Sequence, residues 1–128
     1  MKQENEIIST KKYKALIIDD SEMNREILKG ILSDEMDIVE IDNGEDACDY
    51  MMNHASELNI VILDLVMPGM NGFETLEKLK AGPCGDIRVC MMSGTVTDEV
   101  RQKASQLGAV GVIGKPLDAA EVLGIING

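Results

Sequence analysis

Four short apolar runs in this chain each lead directly to a side chain able to do chemistry. Asp19-Asp20 follow Ala15–Ile18, Asp64 follows Ile60–Leu63, Ser93 follows Ile87–Met92, and Lys115 follows Val110–Ile113 after one glycine. Carboxylates gathered at one point repel: two unit charges about 4 Å apart cost roughly 4 kcal/mol at an effective dielectric near 20. Without a counter-charge, one of them takes up a proton. A hard divalent cation removes that cost, and oxygen donors in an open, hydrated site favour Mg²⁺ over zinc. A lysine and a hydroxyl added to such a cluster make a site for a transferable phosphoryl group. The cation and the lysine neutralise charge that builds up in the transition state, and a carboxylate can be the nucleophile, giving an aspartyl phosphate. Taken singly, each residue has an ordinary explanation: an aspartate caps a helix, Ser93 makes a turn, Lys115 is solvated. Together they stand at the ends of four strands, and that coincidence points to chemistry.

Those strands are legible as apolar runs. Ala15–Ile18 and Ile60–Leu63 are continuous and rich in β-branched residues, which fits strands buried on both faces of a parallel sheet. Ile38–Ile41 is interrupted by Glu40, which suits an edge strand. Between the runs, apolar residues recur at helical spacing: Met23, Ile27, Leu28, Ile31 and Leu32; Ala47, Met51, Met52 and Ala55; Phe73, Leu76 and Leu79; Val100, Ala104 and Leu107; Val122, Leu123, Ile125 and Ile126. Asn71 with Glu74, and Asp118 with Glu121, have capping-box spacing. Gly82-Pro83 stops the third helix and Gly108 ends the fourth. The pattern predicts a flavodoxin-like (βα)5 fold: a doubly wound, parallel, five-stranded sheet of order 2-1-3-4-5, with helices on both faces. Ligands in such folds bind beyond the C-terminal strand ends where strand order reverses, here between strands one and three. Asp19, Asp20 and Asp64 then share one mouth.

The rest of the chain bounds the function. Its 128 residues suit one domain, with residues 1–12 as a polar lead-in and 13–128 as the folded unit. A net charge of −11 argues against direct nucleic-acid binding and against an anionic membrane surface. No apolar segment is long enough for a signal peptide or a bilayer span. Cys48, Cys84 and Cys90 are odd in number and form no C-x-x-C, which reads as reduced thiols in a cytoplasmic protein. Aromatics are limited to Tyr13, Tyr50 and Phe73, so an aliphatic, methionine-filled core is expected. His54 reads as a surface residue at the end of the second helix.

The strand-end residues also carry a resemblance. Asp19-Asp20, then Leu63-Asp64-Leu65-Val66-Met67-Pro68-Gly69-Met70-Asn71-Gly72, then Met92-Ser93-Gly94, then Lys115-Pro116, resemble the signature of bacterial response-regulator receiver domains, from about Lys14 to the end. The resemblance implies that Asp64 accepts the phosphoryl group and that Asp19, Asp20, Asp64 and the Val66 backbone carbonyl hold Mg²⁺. Ser93 would bond a phosphoryl oxygen and Lys115 would pair with it, ahead of a cis Lys115–Pro116 bond. A sensor histidine kinase or a histidine phosphotransfer protein would be the donor, docking near Met23, Asn24 and Leu28. A homodimer through the fourth helix, fifth strand and fifth helix is within the family's range. Asp20–Leu28 resembles receivers fused to hybrid sensor kinases. Two positions depart from the pattern. Val112 stands where the family carries an aromatic ring three residues before its lysine, and Asn71 replaces a commoner Asp.

Three other functions share parts of this pattern. A Mg²⁺-dependent aspartyl-phosphate phosphatase needs Asp-x-Asp at one strand end, whereas Asp19 and Asp20 are adjacent. A flavin-binding protein needs aromatics to stack the ring and a loop that accepts its phosphate, which Asp19-Asp20 would repel. A phosphate-independent docking receiver keeps the fold without the chemistry, and Val112 is the residue that favours it.

Overall fold

The computed structural model describes residues 13–82 and 85–128. The expected lead-in over 1–12, Pro83 at the end of the third helix, and Cys84 lie outside the described residues. The elements follow in strict alternation: β1 (Tyr13–Ile18), α1 (Glu22–Leu32), β2 (Met36–Ile41), α2 (Gly44–His54), β3 (Ile60–Asp64), α3 (Gly72–Ala81), β4 (Arg88–Ser93), α4 (Asp98–Gln106), β5 (Gly111–Gly114) and α5 (Ala119–Asn127). The five strands are parallel and run in the order β2-β1-β3-β4-β5.

The continuous apolar runs are explained by burial on both faces. Ala15 and Ile17 of β1 join one cluster with Ile60, Ile62, Cys90 and Met92; α1 covers it with Leu28 and Leu32, and α5 with Val122 and Ile126. Leu16 and Ile18 join the other cluster with Val61, Leu63, Val89 and Met91. That face is covered by Ala47 and Met51 of α2, Leu76 and Leu79 of α3, and Ala104 of α4. β2 is the edge strand its Glu40 foretold, and most of its residues are only half-buried.

Some expectations need correction. Met23 and Ile27 do not belong to the buried stripe of α1: they are 73% and 42% exposed. At 100° per residue the buried stripe is centred on Leu28 and Leu32, and Met23 lies well off it. Met52 is likewise exposed while Met51 is buried, and Ala55 falls in a 3-10 turn after α2. Asn71 and Glu74 form the full reciprocal capping box. Asp118 caps α5 by accepting from the Ala120 N–H instead.

The turn after β3 uses glycine twice. Gly69 has φ +75°, the left-handed value that a type II turn asks of the residue after Pro68. Gly72 starts α3 hard against the strand it leaves: a Cβ there would collide with the Asp64 carbonyl oxygen and stand 2.7 Å from the Leu65 Cα. Gly72→Ala is therefore expected to destabilise the domain by about 1–2 kcal/mol, from overpacking against backbone that cannot yield. A lower urea midpoint with an unchanged slope would register it.

Candidate functional site

The C-terminal ends of β1, β3, β4 and β5 bring the sequence-predicted residues together. β1 ends at Ile18, and Asp19 continues toward β2 by donating its N–H to the Ile41 carbonyl (3.1 Å). The Asp19 side chain is fully buried. Its Oδ1 accepts from the Ser21 N–H at 2.9 Å, which turns the chain into α1, where Ser21 is the N-cap. Asp20 follows on the exposed side of this turn. Asp64 is the last residue of β3 and is 3% exposed. The next residue is tied to the neighbouring strand, Leu65 N–H to Met92 carbonyl (2.8 Å). β5 is held to β4 in the same way by Lys115 N–H to Ser93 carbonyl (3.0 Å). This strand pairing fixes where Asp64, Ser93 and Lys115 emerge.

One carboxylate oxygen from each of Asp19, Asp20 and Asp64 lies within 4.8 Å of the others. The Lys115 Nζ donates to Asp64 Oδ1 at 2.8 Å and stands 3.7 Å from Asp19 Oδ2. Asp19 Oδ2 is buried and makes no hydrogen bond among the described residues. A buried carboxylate oxygen left this way costs free energy unless something positive completes it. Burial pushes the Asp64 carboxyl up from its ordinary range; the Lys115 hydrogen bond pulls it down, and the charges of Asp19 and Asp20 push it up again. Three carboxylates against one lysine leave negative charge to be met. An all-oxygen donor set with one exposed member fits a hard divalent cation that keeps part of its water shell.

Ser93 is buried at the end of β4. Its hydroxyl donates to the Thr95 carbonyl (2.7 Å) and accepts from the Thr95 N–H (3.1 Å), so it is engaged with its own loop. Val66 lies in the turn after β3 with its side chain 72% exposed. The Lys115–Pro116 peptide is cis. Val112 is buried in β5 among the residues packed under α4.

Two residues that sequence reasoning did not assign also touch this mouth. The Arg25 Nη1 donates to the Asp19 carbonyl at 2.7 Å. Glu45, in the first turn of α2, accepts from the Met70 N–H at 3.3 Å across the turn after β3. Neither contact had a sequence signal, because both partners are backbone atoms brought near only by the fold. His54 belongs elsewhere, as expected: it stacks on Tyr50 at 4.2 Å and pairs with Glu57. Cys90 is a core residue whose thiol is pushed up to about 12 by burial, which leaves it inert as a nucleophile. Among the described residues, no helix is long and apolar enough to cross a membrane.

Comparison with known proteins agrees with this geometry. Residues 15–127 match the model of the response regulator receiver domain family. The chain is 33% identical over 113 residues to the chemotaxis protein CheY of Halobacterium salinarum, covering 88% of this chain and 92% of that protein. It is 36% identical over 112 residues to the sensory/regulatory protein RpfC of Xanthomonas campestris pv. campestris, covering 84% of this chain but 15% of RpfC. Among solved structures, the CheX-CheY-BeF3-Mg complex from Borrelia burgdorferi matches with a TM-score of 0.84 and 32% identity, covering 89% of this chain and 86% of that one. A response regulator receiver protein from Pseudomonas putida matches with a TM-score of 0.81 and 25% identity, covering 94% and 98%. With the family model matching residues 15–127 and the sheet order in agreement, this chain belongs to the response regulator receiver domain family of two-component signalling.

Proposed function

We propose that residues 13–128 form a phosphoacceptor receiver in which Asp64 takes a phosphoryl group from a phosphohistidine donor, a sensor histidine kinase or a histidine phosphotransfer protein. The observation that carries this reading is the meeting of three strand-end carboxylates within 4.8 Å with a lysine donating to one of them. An Asp64 oxygen forms the new O–P bond as the P–N bond breaks, and the histidine nitrogen keeps the electron pair. Lys115 is already beside Asp64 and would follow the phosphoryl oxygens as their charge grows. Ser93 would exchange its bond to Thr95 for one to a phosphoryl oxygen. Asp19, Asp20, Asp64 and the Val66 carbonyl would hold Mg²⁺, which would supply positive charge to the phosphoryl group; Asp19 Oδ2, buried without a hydrogen bond and with Lys115 no nearer than 3.7 Å, supports a cation there. The related Borrelia complex contains Mg²⁺ and beryllofluoride, which is in keeping with this chemistry. The domain would act in the cytoplasm as a switch with only self-phosphorylation and slow self-dephosphorylation of its own.

A second reading is a receiver that docks without phosphate, and buried Val112 favours it. In the family's usual arrangement, an aromatic ring at that position moves with the hydroxyl residue at the end of β4. Intact mass after incubation with acetyl phosphate separates the two. A Mg²⁺-dependent phosphoryl adduct, lost in EDTA and absent in Asp64→Asn, is the expected result. An unmodified native chain with Mg²⁺ bound, also unmodified by phosphohistidine donors, would favour docking.

A further inference from the structure

We infer that Arg25 is a positioning residue for the cation site, aiming Asp20 by holding the peptide group that joins it to Asp19. This inference rests on the phosphoacceptor reading, because it concerns the same carboxylates. The oxygen that Arg25 grips belongs to the Asp19–Asp20 peptide, so holding it restrains that peptide plane and with it the Asp20 N and Cα from which the side chain departs. The other restraints on this turn act on Asp19. Its N–H is bonded to Ile41 and its carboxylate to Ser21. The Asp20 side chain makes no hydrogen bond or ion pair to the described residues; the Ser21 N–H bond to Asp19 holds the peptide group after it, and the Arg25 contact holds the one before it.

Arg25 is in turn held by the edge strand. Its Nε pairs with Glu40 Oε1 at 3.0 Å, while Lys29 Nζ takes Glu40 Oε2 at 2.9 Å and Glu26 at 2.8 Å. A guanidinium donates in a fixed planar fork. With Nε directed at Glu40 on β2, Nη1 is left pointing at the Asp19 carbonyl. The Arg25 side chain is 16% exposed, so this contact is shielded from water more than an ordinary surface pair. Lys29 shares the ion-pair network without touching the Asp19–Asp20 turn, which makes it the control.

The test is Mg²⁺ affinity by isothermal titration, on the native chain, Arg25→Gln, Arg25→Lys and Lys29→Gln, with thermal midpoints in EDTA for each. Electrostatics and positioning here predict opposite signs. Removing a positive charge near a cation site tightens cation binding, whereas releasing the peptide plane weakens it. Arg25→Gln is expected to weaken Mg²⁺ by about tenfold, the size of effect seen when groups that orient metal ligands are removed. Arg25→Lys keeps the charge but lacks the fork and is expected to weaken binding as well. Lys29→Gln should leave affinity unchanged or slightly tighter. Unchanged or tighter binding in Arg25→Gln, with the native chain binding normally, overturns the inference alone. If Arg25→Gln melts too low to titrate, Arg25→Lys decides by the same criterion. A native chain that does not bind Mg²⁺ overturns the phosphoacceptor reading and this inference with it.

Discussion

Asp64→Asn is expected to abolish the phosphoryl adduct and at the same time to raise the stability of the metal-free protein by about 2–3 kcal/mol, as the burial of a charged carboxylate and its repulsion by Asp19 and Asp20 are relieved. For a domain of this size that is roughly 8–10 °C in the thermal midpoint. The reason is in the site: a buried carboxylate faces two others with Lys115 as the nearby cation. The sign with pH follows from the upward displacement of the Asp64 carboxyl, whose ordinary value is 3.8. A group that binds its proton more tightly when folded contributes stability below its unfolded pKa. That contribution is lost as pH rises through the higher folded value. The native chain is therefore penalised at neutral pH and recovers as pH falls toward the ordinary carboxylate range, whereas asparagine does not titrate. The gap between the two proteins should narrow on acidification. It should also narrow when Mg²⁺ is added, because a ligand bound only by the folded native site stabilises it. Thermal melts of both proteins from pH 7 to pH 4.5, with and without Mg²⁺, test all three statements. A native chain that melts at or above Asp64→Asn in EDTA at pH 7 would contradict the electrostatic account.

Lys115→Met should act in the opposite way. The substitution keeps much of the stem and removes the ammonium that donates to Asp64 at 2.8 Å. Loss of one preorganised donor to the charge of a transition state costs about 10²- to 10³-fold in rate. The initial rate of adduct formation from acetyl phosphate, at saturating Mg²⁺, should fall by that factor. Mg²⁺ affinity should hold or improve, since a cation 3.7 Å from Asp19 Oδ2 has gone. In EDTA the protein should be less stable than native, because a buried carboxylate loses its partner. A lysine that served only as a surface counter-ion would alter the rate by less than tenfold and leave the melt unmoved. Asp64→Asn and Lys115→Met thus move metal-free stability in opposite directions while both suppress phosphorylation, a combination that damage to the fold does not produce.

The site was legible because its residues are punctuation. Asp19, Asp20, Asp64, Ser93 and Lys115 each follow an apolar run, and the run tells which end of the sheet they occupy. Strand order came from the (βα)5 alternation, whose usual order is 2-1-3-4-5, and Glu40 in β2 and the unbroken runs of β1 and β3 fit their edge and central places. Helix faces were read less well. Spacing of three and four counted Met23 and Ile27 with Leu28, but the orientation of α1 is set by what it packs against, and α5 leaves that flank open. Beyond the helix caps, contacts of side chains with backbone were not legible. Nothing in the letters of Arg25 or Glu45 says that one will meet the Asp19 carbonyl and the other the Met70 N–H. Lys103 over the Phe73 ring, 4.7 Å from its centroid, links α4 to α3 and was equally invisible.

The open flank of β2 has a consequence for how copies of this domain meet. Among the described residues, β2 pairs only with β1, so its outer row of amide and carbonyl groups is available to another strand. Such borders invite sheet-to-sheet growth, and charged side chains along them discourage it. Asp37 stands on this strand with Glu40, whose charge Arg25 and Lys29 pair, and a second copy approaching it would carry a net −11 of its own. The opposite border, β5, is four residues long and begins and ends in glycine. With net negative charge on both copies at one border and the other border too short to template a strand, neither border favours fibrous stacking of sheets.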